Sequence, residues 1–164
     1  LTTATPLGMI NEGLVEALPS YSQLFWGVTG GSLGETCVPA LLIGGIFLIV
    51  MRVIQPTIPL VYIGGVAVFS LLFGQDPLYR VMSGGLLLGA FFMATDYVTS
   101  PATTKGKIIF ALGCALLTSA IRCFGSYPEG VSFSILIMNI ITPLIDRFCV
   151  TKPFGAIEPK EAAK

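Results

Sequence analysis

Prolines and glycines cut this 164-residue chain into apolar stretches of nearly uniform length, and that constrains its fold more than any other feature. Five segments of roughly 17 to 20 residues, Cys37–Val53, Ile58–Gly74, Val81–Val98, Lys107–Phe124 and Val131–Cys149, are each long enough to cross a hydrocarbon core of about 30 Å as a helix. The breaks carry Pro56 and Pro59, Asp76-Pro77, Ser100-Pro101 and Ser126-Tyr127-Pro128-Glu129-Gly130, as turns should. Charged residues are 11% of the chain against about 25% in soluble domains. The expected class is an all-α integral membrane protein with about five transmembrane helices.

The charges that remain are unevenly placed. Leu1 to Thr36 holds Glu12, Glu16 and Glu35 and no Lys or Arg. Alternate loops divide the basic residues into Arg52, Lys105, Lys107, Arg147, Lys152, Lys160 and Lys164 on one side and Arg80 and Arg122 on the other. Because basic loops stay in the cytoplasm, the tail is expected inside and Thr5 outside. This asymmetry concerns topology and gives no reason to expect nucleic acid. Chain organisation follows from the same pattern: 1–36 as an extracytoplasmic segment, 37–149 as the membrane domain, and 150–164 as a cytoplasmic tail. The start at Leu1, with no initiator Met or signal-peptide pattern, reads as the C-terminal part of a longer chain.

Within 1–36, Leu7, Ile10, Leu14 and Leu18 share one helical face and Glu12 and Glu16 another, which suits a short helix lying at the membrane interface. Leu24 to Val28 with the glycines after it is too short to span and reads as a re-entrant piece. Glycine pairs at Gly44-Gly45, Gly64-Gly65 and Gly84-Gly85 are expected to serve helix packing, with a broken helix as the alternative. Cys37, Cys114, Cys123 and Cys149 have no C-x-x-C spacing and the chain has no His, so no metal site is expected.

Several residues carry candidate chemistry. Thr5 precedes Pro6, which biases it to an extended conformation and makes it the N-cap of a helix over Leu7–Leu18. A phosphoester on its hydroxyl would meet the N–H groups of Leu7 and Gly8 at the positive helix end, while the plainer alternative is an ordinary threonine cap. Gly30 to Thr36, with Ser32, Glu35 and Thr36 as its polar members, suits close backbone approach to a flat ring or phosphate and lacks the lysine of a nucleotide triphosphate loop. Asp96, beside Thr95, Thr99 and Ser100, ends a strongly apolar run; it is either functional or an interfacial helix-end acid. Asn139 and Asp146 lie two turns apart on one face, with Pro143 between them. That proline removes the partner of the Asn139 carbonyl, giving either an oxygen-rich, partly unwound cation site or a kink at a cytoplasmic boundary.

Thr2-Thr3-Ala4-Thr5 resembles the Ser/Thr-Gly-Ala-Thr site at which flavin mononucleotide (FMN) is attached through its phosphate. Together with Gly30–Thr36, Phe91-Phe92-Met93-Ala94-Thr95-Asp96 and Tyr127-Pro128-Glu129-Gly130 running on to Asn139 and Pro143-Leu144-Ile145-Asp146, it makes nearly the whole chain resemble one family. That family holds the D component of the Rnf electron-transport complex, whose C-terminal half this chain resembles, and the B component of the sodium-pumping NADH:quinone reductase. The resemblance implies a ten-helix, urea-channel-like protein of two five-helix halves, inverted or duplicated, in a bacterial or archaeal cytoplasmic membrane. It also implies covalent FMN on Thr5, electron transfer between reduced ferredoxin and NAD⁺ coupled to Na⁺ or H⁺ movement, and an ion path involving Asp96 and Asp146. Its implied partners are a second covalent-flavin subunit, iron–sulfur subunits and membrane lipid. A quinone-reductase component and a passive solute channel of similar fold are the alternatives.

Overall fold

A computed structural model describes residues 5–11, 18–31, 34–125 and 130–149, whose regular elements are all helical, with no strand among the described residues. The helices are α1 (Pro6–Asn11), α2 (Tyr21–Trp26), α3 (Val38–Val50), α4 (Thr57–Leu72), α5 (Pro77–Met82), α6 (Leu86–Leu88), which continues into a π-helical stretch Gly89–Met93, α7 (Thr104–Phe124) and α8 (Val131–Phe148). Helices α7 and α8 are long and apolar enough to cross a membrane, while α3 and α4 are shorter apolar helices. Proline at the first or second position starts α3 and α5, and hydroxyl or carboxylate caps fix the heads of α7 and, in addition, α5. Thr103 accepts from Gly106 N at the head of α7, and Asp76 accepts from Leu78 N at the head of α5.

The core lies where α4, α7 and α8 pack together. Tyr62 and Val66 of α4 meet Phe110, Ala111, Cys114 and Ala115 of α7, all almost completely buried. Close approach depends on small residues, because a β-carbon at Gly65 would stand 2.7 Å from that of Ala115. The polar content of this core is self-satisfied. Tyr62 OH lies 2.7 Å from Thr118 Oγ1 and 3.1 Å from Ser134 Oγ, and those two are 2.6 Å apart. In a setting without water such a triangle ties three helices together where any one hydroxyl alone would be costly.

The glycine pairs divide by role. Gly45 faces the Phe91 ring and Gly65 faces Ala115, whereas nothing lies within 4 Å of a β-carbon built on Gly64. Gly65→Ala is therefore expected to cost about 1–3 kcal/mol through overpacking. Gly64→Ala should be neutral or stabilising, since alanine favours a helix interior by up to about 1 kcal/mol. Thermal unfolding of the two variants in detergent checks this, and equal midpoints would contradict the packing account.

The third apolar segment departs from the expected single span. The chain leaves α5 at Ser83, turns through Gly84 and Gly85 with φ of 65° and 57°, and restarts as α6 and the π-helical stretch, which ends at Met93. Two consecutive left-handed residues are affordable only for glycine, so this pair breaks the helix instead of packing it. Close packing holds the break in place: a β-carbon on Gly84 would stand 2.3 Å from Leu7 Cδ1, and one on Gly89 2.4 Å from Val131 Cγ1.

Two further expectations are corrected. Helix α1 does not offer its apolar face to an interface at Leu7, because that side chain is 1% exposed and packs against the break. Leu14, Glu12 and Glu16 lie outside the described residues. Helix α8 is not unwound at Pro143 but runs unbroken from Val131 to Phe148. The proline is on the exposed side, and the residue before it, Thr142, adds a bond from its Oγ1 to the carbonyl of Met138 at 3.0 Å.

Candidate functional site

Thr5 stands where the sequence places it, at the head of α1. Gly8 N donates to Thr5 Oγ1 at 3.3 Å and Met9 N donates to the Thr5 carbonyl at 3.0 Å, which defines an N-cap. Gly8 keeps the hydroxyl accessible, since a β-carbon there would lie 3.3 Å from it. The fold carries Gly30, Gly31, Glu35 and Thr36 to the same place and adds Met82, Ser83 and Gly84 from the helix break. Together they enclose a cavity of about 30 Å³. Ser32 lies outside the described residues. The close return of this loop rests on Gly27, whose φ is 78° and whose missing β-carbon leaves room for the backbone of Thr36 at 2.9 Å.

Electrostatics at the break come from residues that are read in the sequence as loop charges. Arg80 and Arg122 are instead 4% and 2% exposed. Arg122 Nη1 donates to the Arg80 carbonyl at 2.7 Å, and Nη2 donates to the carbonyls of Gly84 at 2.6 Å and Ser83 at 3.3 Å. Arg80 Nη1 returns a bond to the Arg122 carbonyl at 3.3 Å. A guanidinium is the one side chain whose rigid fork can serve several carbonyls freed at a helix C-terminus, and its charge suits that end of the dipole. Glu35 complements it from the other side. Its carboxyl lies 3.0–3.2 Å from where a Gly85 β-carbon would be, over the N-terminus that α6 presents.

Ser83 is the member of this group that sequence reading missed. Its side chain is 3% exposed, and its Oγ has no hydrogen-bond partner. A serine before a glycine pair carries no signal by itself. It matters because the break turns it into the wall of the cavity that Thr5 shares. Leu7, by contrast, contributes its side chain to packing, so only its backbone is left for a ligand.

Of the three other candidates, Asp96 and Asp146 belong to the opposite end of α7, and Asn139 lies further along α8, level with the middle of α7. Asp146 Oδ1 accepts from Ala102 N at 3.2 Å, just ahead of α7, and so ties α8 to the connection that follows the π-helical stretch. Asp96 lies in that connection; it is exposed and accepts from Thr99 Oγ1 at 3.2 Å. Asn139 is two turns from Asp146, and its Oδ1 is buried without a hydrogen-bond partner. Arg122 and the break sit near the far end of this 21-residue helix, about 30 Å away at 1.5 Å per residue. The structure thus holds two separate groups, one around Thr5 and one around Asp96 and Asp146.

Near the Thr5 group, α2 is fastened to α5 by a bond from Tyr21 OH to Asp76 Oδ2. That bond holds the Asp76 carboxyl below its ordinary pKa and raises the Tyr21 phenol above its own. The four cysteines are free thiols. No group of three or more metal-ligating side chains occurs among the described residues.

A helical chain with two apolar helices of spanning length has the build of a membrane protein. Residues 1–155 match the model of the NQR2, RnfD, RnfE family, and the chain belongs to that family. Relatives include the D component of the Na(+)-translocating ferredoxin:NAD(+) oxidoreductase complex of Acetobacterium woodii, 51% identical over all of this chain and 52% of the relative. The proton-translocating counterpart of Clostridium ljungdahlii is 48% identical over 94% of the chain and 51% of the relative. The D component of an ion-translocating oxidoreductase complex of Stutzerimonas stutzeri is 43% identical over 94% of the chain and 45% of the relative. The chain spans about half the length of the curated relatives it matches.

Proposed function

We propose that this chain is the C-terminal, five-helix half of a flavin-carrying membrane subunit in an ion-pumping ferredoxin:NAD⁺ oxidoreductase, with Thr5 bearing FMN through a phosphoester. The observation that carries the reading is the meeting of Thr5, Glu35, Thr36 and the unpartnered Ser83 hydroxyl at one small cavity on a helix break. A space of about 30 Å³ admits a phosphate-sized group. Ser83 offers a donor that protein groups leave unused, and Arg122, behind the Gly84 carbonyl, supplies positive charge that offsets Glu35. When bound, the flavin supplies the electron-transfer chemistry. The chain's own residues hold its phosphate, fix its attachment by capping α1, and keep water from the buried side of the site.

The relatives' names support the assembly and the coupling to ion movement, and they differ among sodium, proton and unspecified ion, so the coupling ion stays open between Na⁺ and H⁺. In this reading 37–149 is the membrane domain of a urea-channel-like ten-helix repeat, and 1–36 and Thr5 lie outside the cytoplasm. The 150–164 tail lies inside. Burial of Arg80 and Arg122 supports that orientation, because it removes both basic residues from the outer loops and leaves the others on the opposite side. The remaining partners are a second covalent-flavin subunit, iron–sulfur subunits and lipid. A mass spectrum of the Thr5 peptide from the purified complex is the direct test. An unmodified peptide, with no flavin fluorescence in a denaturing gel, would leave the passive-channel reading in its place.

Asp96, Asn139 and Asp146 form the ion path of this proposal. Asp146→Asn and Asp96→Asn each keep an oxygen for Ala102 N and Thr99 Oγ1, so they remove charge while preserving the observed bonds. The expected outcome is an assembled, flavinylated complex with reduced ion uptake per electron or a shifted Na⁺ dependence. Ion uptake measured beside ferredoxin:NAD⁺ turnover in vesicles checks it. Wild-type uptake at every Na⁺ concentration in both variants would make these carboxylates structural.

A further inference from the structure

At the end of α7 that holds Asp96 and Asp146, the chain forms another polar recess, far from Thr5. A cavity of about 140 Å³ lies between the α3–α4 connection, which gives it Arg52, Val53 and Gln55, and the connection ahead of α7, which gives it Tyr97 and Ser100. Lys107 closes it from the first turn of α7. Small-molecule sites begin at roughly 300 Å³ and one water takes about 30 Å³ of liquid, so this space suits a single phosphate-sized group.

The charges that line it are positive. Arg52 and Lys107 face the cavity and, among the described residues, no carboxylate does. The nearby acids are engaged elsewhere: Asp96 accepts from Thr99 Oγ1, and Asp146 accepts from Ala102 N. Lys107 Nζ makes one bond, to Gln55 Oε1 at 2.8 Å, out of the three an ammonium can donate. The Arg52 guanidinium has no hydrogen bond or ion pair with the described residues, so its whole fork is available to an anion.

Arg52 also sits in an unusual backbone conformation. Its φ is 55°, the one positive φ of a non-glycine residue among the described residues. Arg52 N donates to the Ile49 carbonyl at 3.0 Å and Val53 N to the Leu48 carbonyl at 2.9 Å. These are the paired bonds of a Schellman helix end, whose left-handed position is ordinarily glycine. Arginine occupies it against that preference, and strain of this kind gathers at ligand-binding positions. Beside the two cations, Met51, Val53, Tyr97 and Val98 are exposed. Apolar and aromatic surface next to basic side chains is the arrangement of a membrane interface, where acyl chains run past their headgroups.

We propose that this recess binds the headgroup phosphate of an anionic membrane lipid, with Arg52 and Lys107 on its oxygens and the acyl chains along the exposed apolar rim. Basic pockets at the ends of membrane helices take such headgroups, and each basic residue contributes about five-fold in affinity. The proposal rests on the chain being a membrane protein and is independent of a flavin at Thr5. A free phosphate shares the headgroup's chemistry but has no use for the apolar rim.

The experiment uses the intact complex in phosphatidylcholine vesicles that carry a trace of photoactivatable phosphatidylglycerol or, in parallel, photoactivatable phosphatidylcholine. Crosslinks to peptides covering 51–55 and 97–107 are read by mass spectrometry. Phosphatidylglycerol is expected to label these peptides several-fold more than phosphatidylcholine. Arg52→Gly should lower that labelling about five-fold, and Arg52→Lys, which keeps the charge, should retain most of it. Without anionic lipid, the unfolding midpoint of Arg52→Gly in detergent is expected at or above that of wild type, since glycine relieves the strained φ. A lower midpoint would show that the arginine serves the fold and would overturn the proposal. Equal labelling by the two lipids, or labelling unchanged in Arg52→Gly, would overturn it as well. Displacement of the label by millimolar inorganic phosphate would make a soluble anion the occupant. Labelling of the isolated subunit but not of the complex would assign the recess to an acidic segment of a partner, and either result removes the lipid.

Discussion

Arg122→Met is expected to destabilise the fold by on the order of 3 kcal/mol or more, because methionine fills the volume but abandons the carbonyls of Arg80, Ser83 and Gly84. Each carbonyl left without a partner in a buried setting costs about 1–3 kcal/mol, and near a hydrocarbon core no water takes over the bond. For a chain of this size that corresponds to roughly 6–12 °C in the unfolding midpoint. Arg122→Lys keeps the charge but loses the fork, so it should fall between the two. Scanning fluorimetry in detergent reads the series. A midpoint for Arg122→Met within about 2 °C of wild type would mean that the break is held by Leu7 and the glycines alone.

Why the sequence conceals this arginine explains much of what it does and does not reveal. Four of the five apolar segments appear in the structure within a few residues of their expected ends, since Pro56, Pro77, Pro101 and Gly130 punctuate the chain locally. The third departs because Gly84-Gly85 looks the same on paper as Gly64-Gly65. What separates them is φ, and φ there is imposed by Leu7 and Arg122, which are distant in the chain. Arg122, one turn before a turn-forming stretch, has the local signature of a loop charge. The available clue is that Cys114, Thr118, Ser119 and Arg122 make a polar stripe on an apolar helix, a pattern that asks for a buried partner.

The candidate site is legible to a similar extent. Thr5, Glu35 and Thr36 are recognisable, and the fold brings them together; Ser83 is not, because its role comes from the break. At the other end Asp146 is visible as an acid, but its bond to Ala102 is a tertiary contact across 44 residues that no local pattern encodes. Pro143 shows the opposite error. Its missing N–H reads as unwinding, while the helix runs on without a break to Phe148.

The largest functional effect is expected at Thr5, where the choice of substitution decides what is learned. Thr5→Ala removes both the hydroxyl and the cap that Gly8 N uses, at a local cost of about 1 kcal/mol, so loss of flavin in that variant mixes chemistry with fraying of α1. Thr5→Asn separates them. Asparagine is at least as good an N-cap as threonine, so the helix start survives, yet it has no hydroxyl from which a phosphoester can form. Complete absence of covalent flavin in Thr5→Asn is expected, with an unfolding midpoint within about 2 °C of the unmodified wild-type protein. Mass spectrometry of the intact subunit and of its Thr5 peptide reads both points. An adduct retained in Thr5→Asn, or found on Thr2 or Thr3, would move the attachment away from the cavity that Ser83, Glu35 and Thr36 build. The Thr5 group would then be an ordinary helix cap seated on a broken helix.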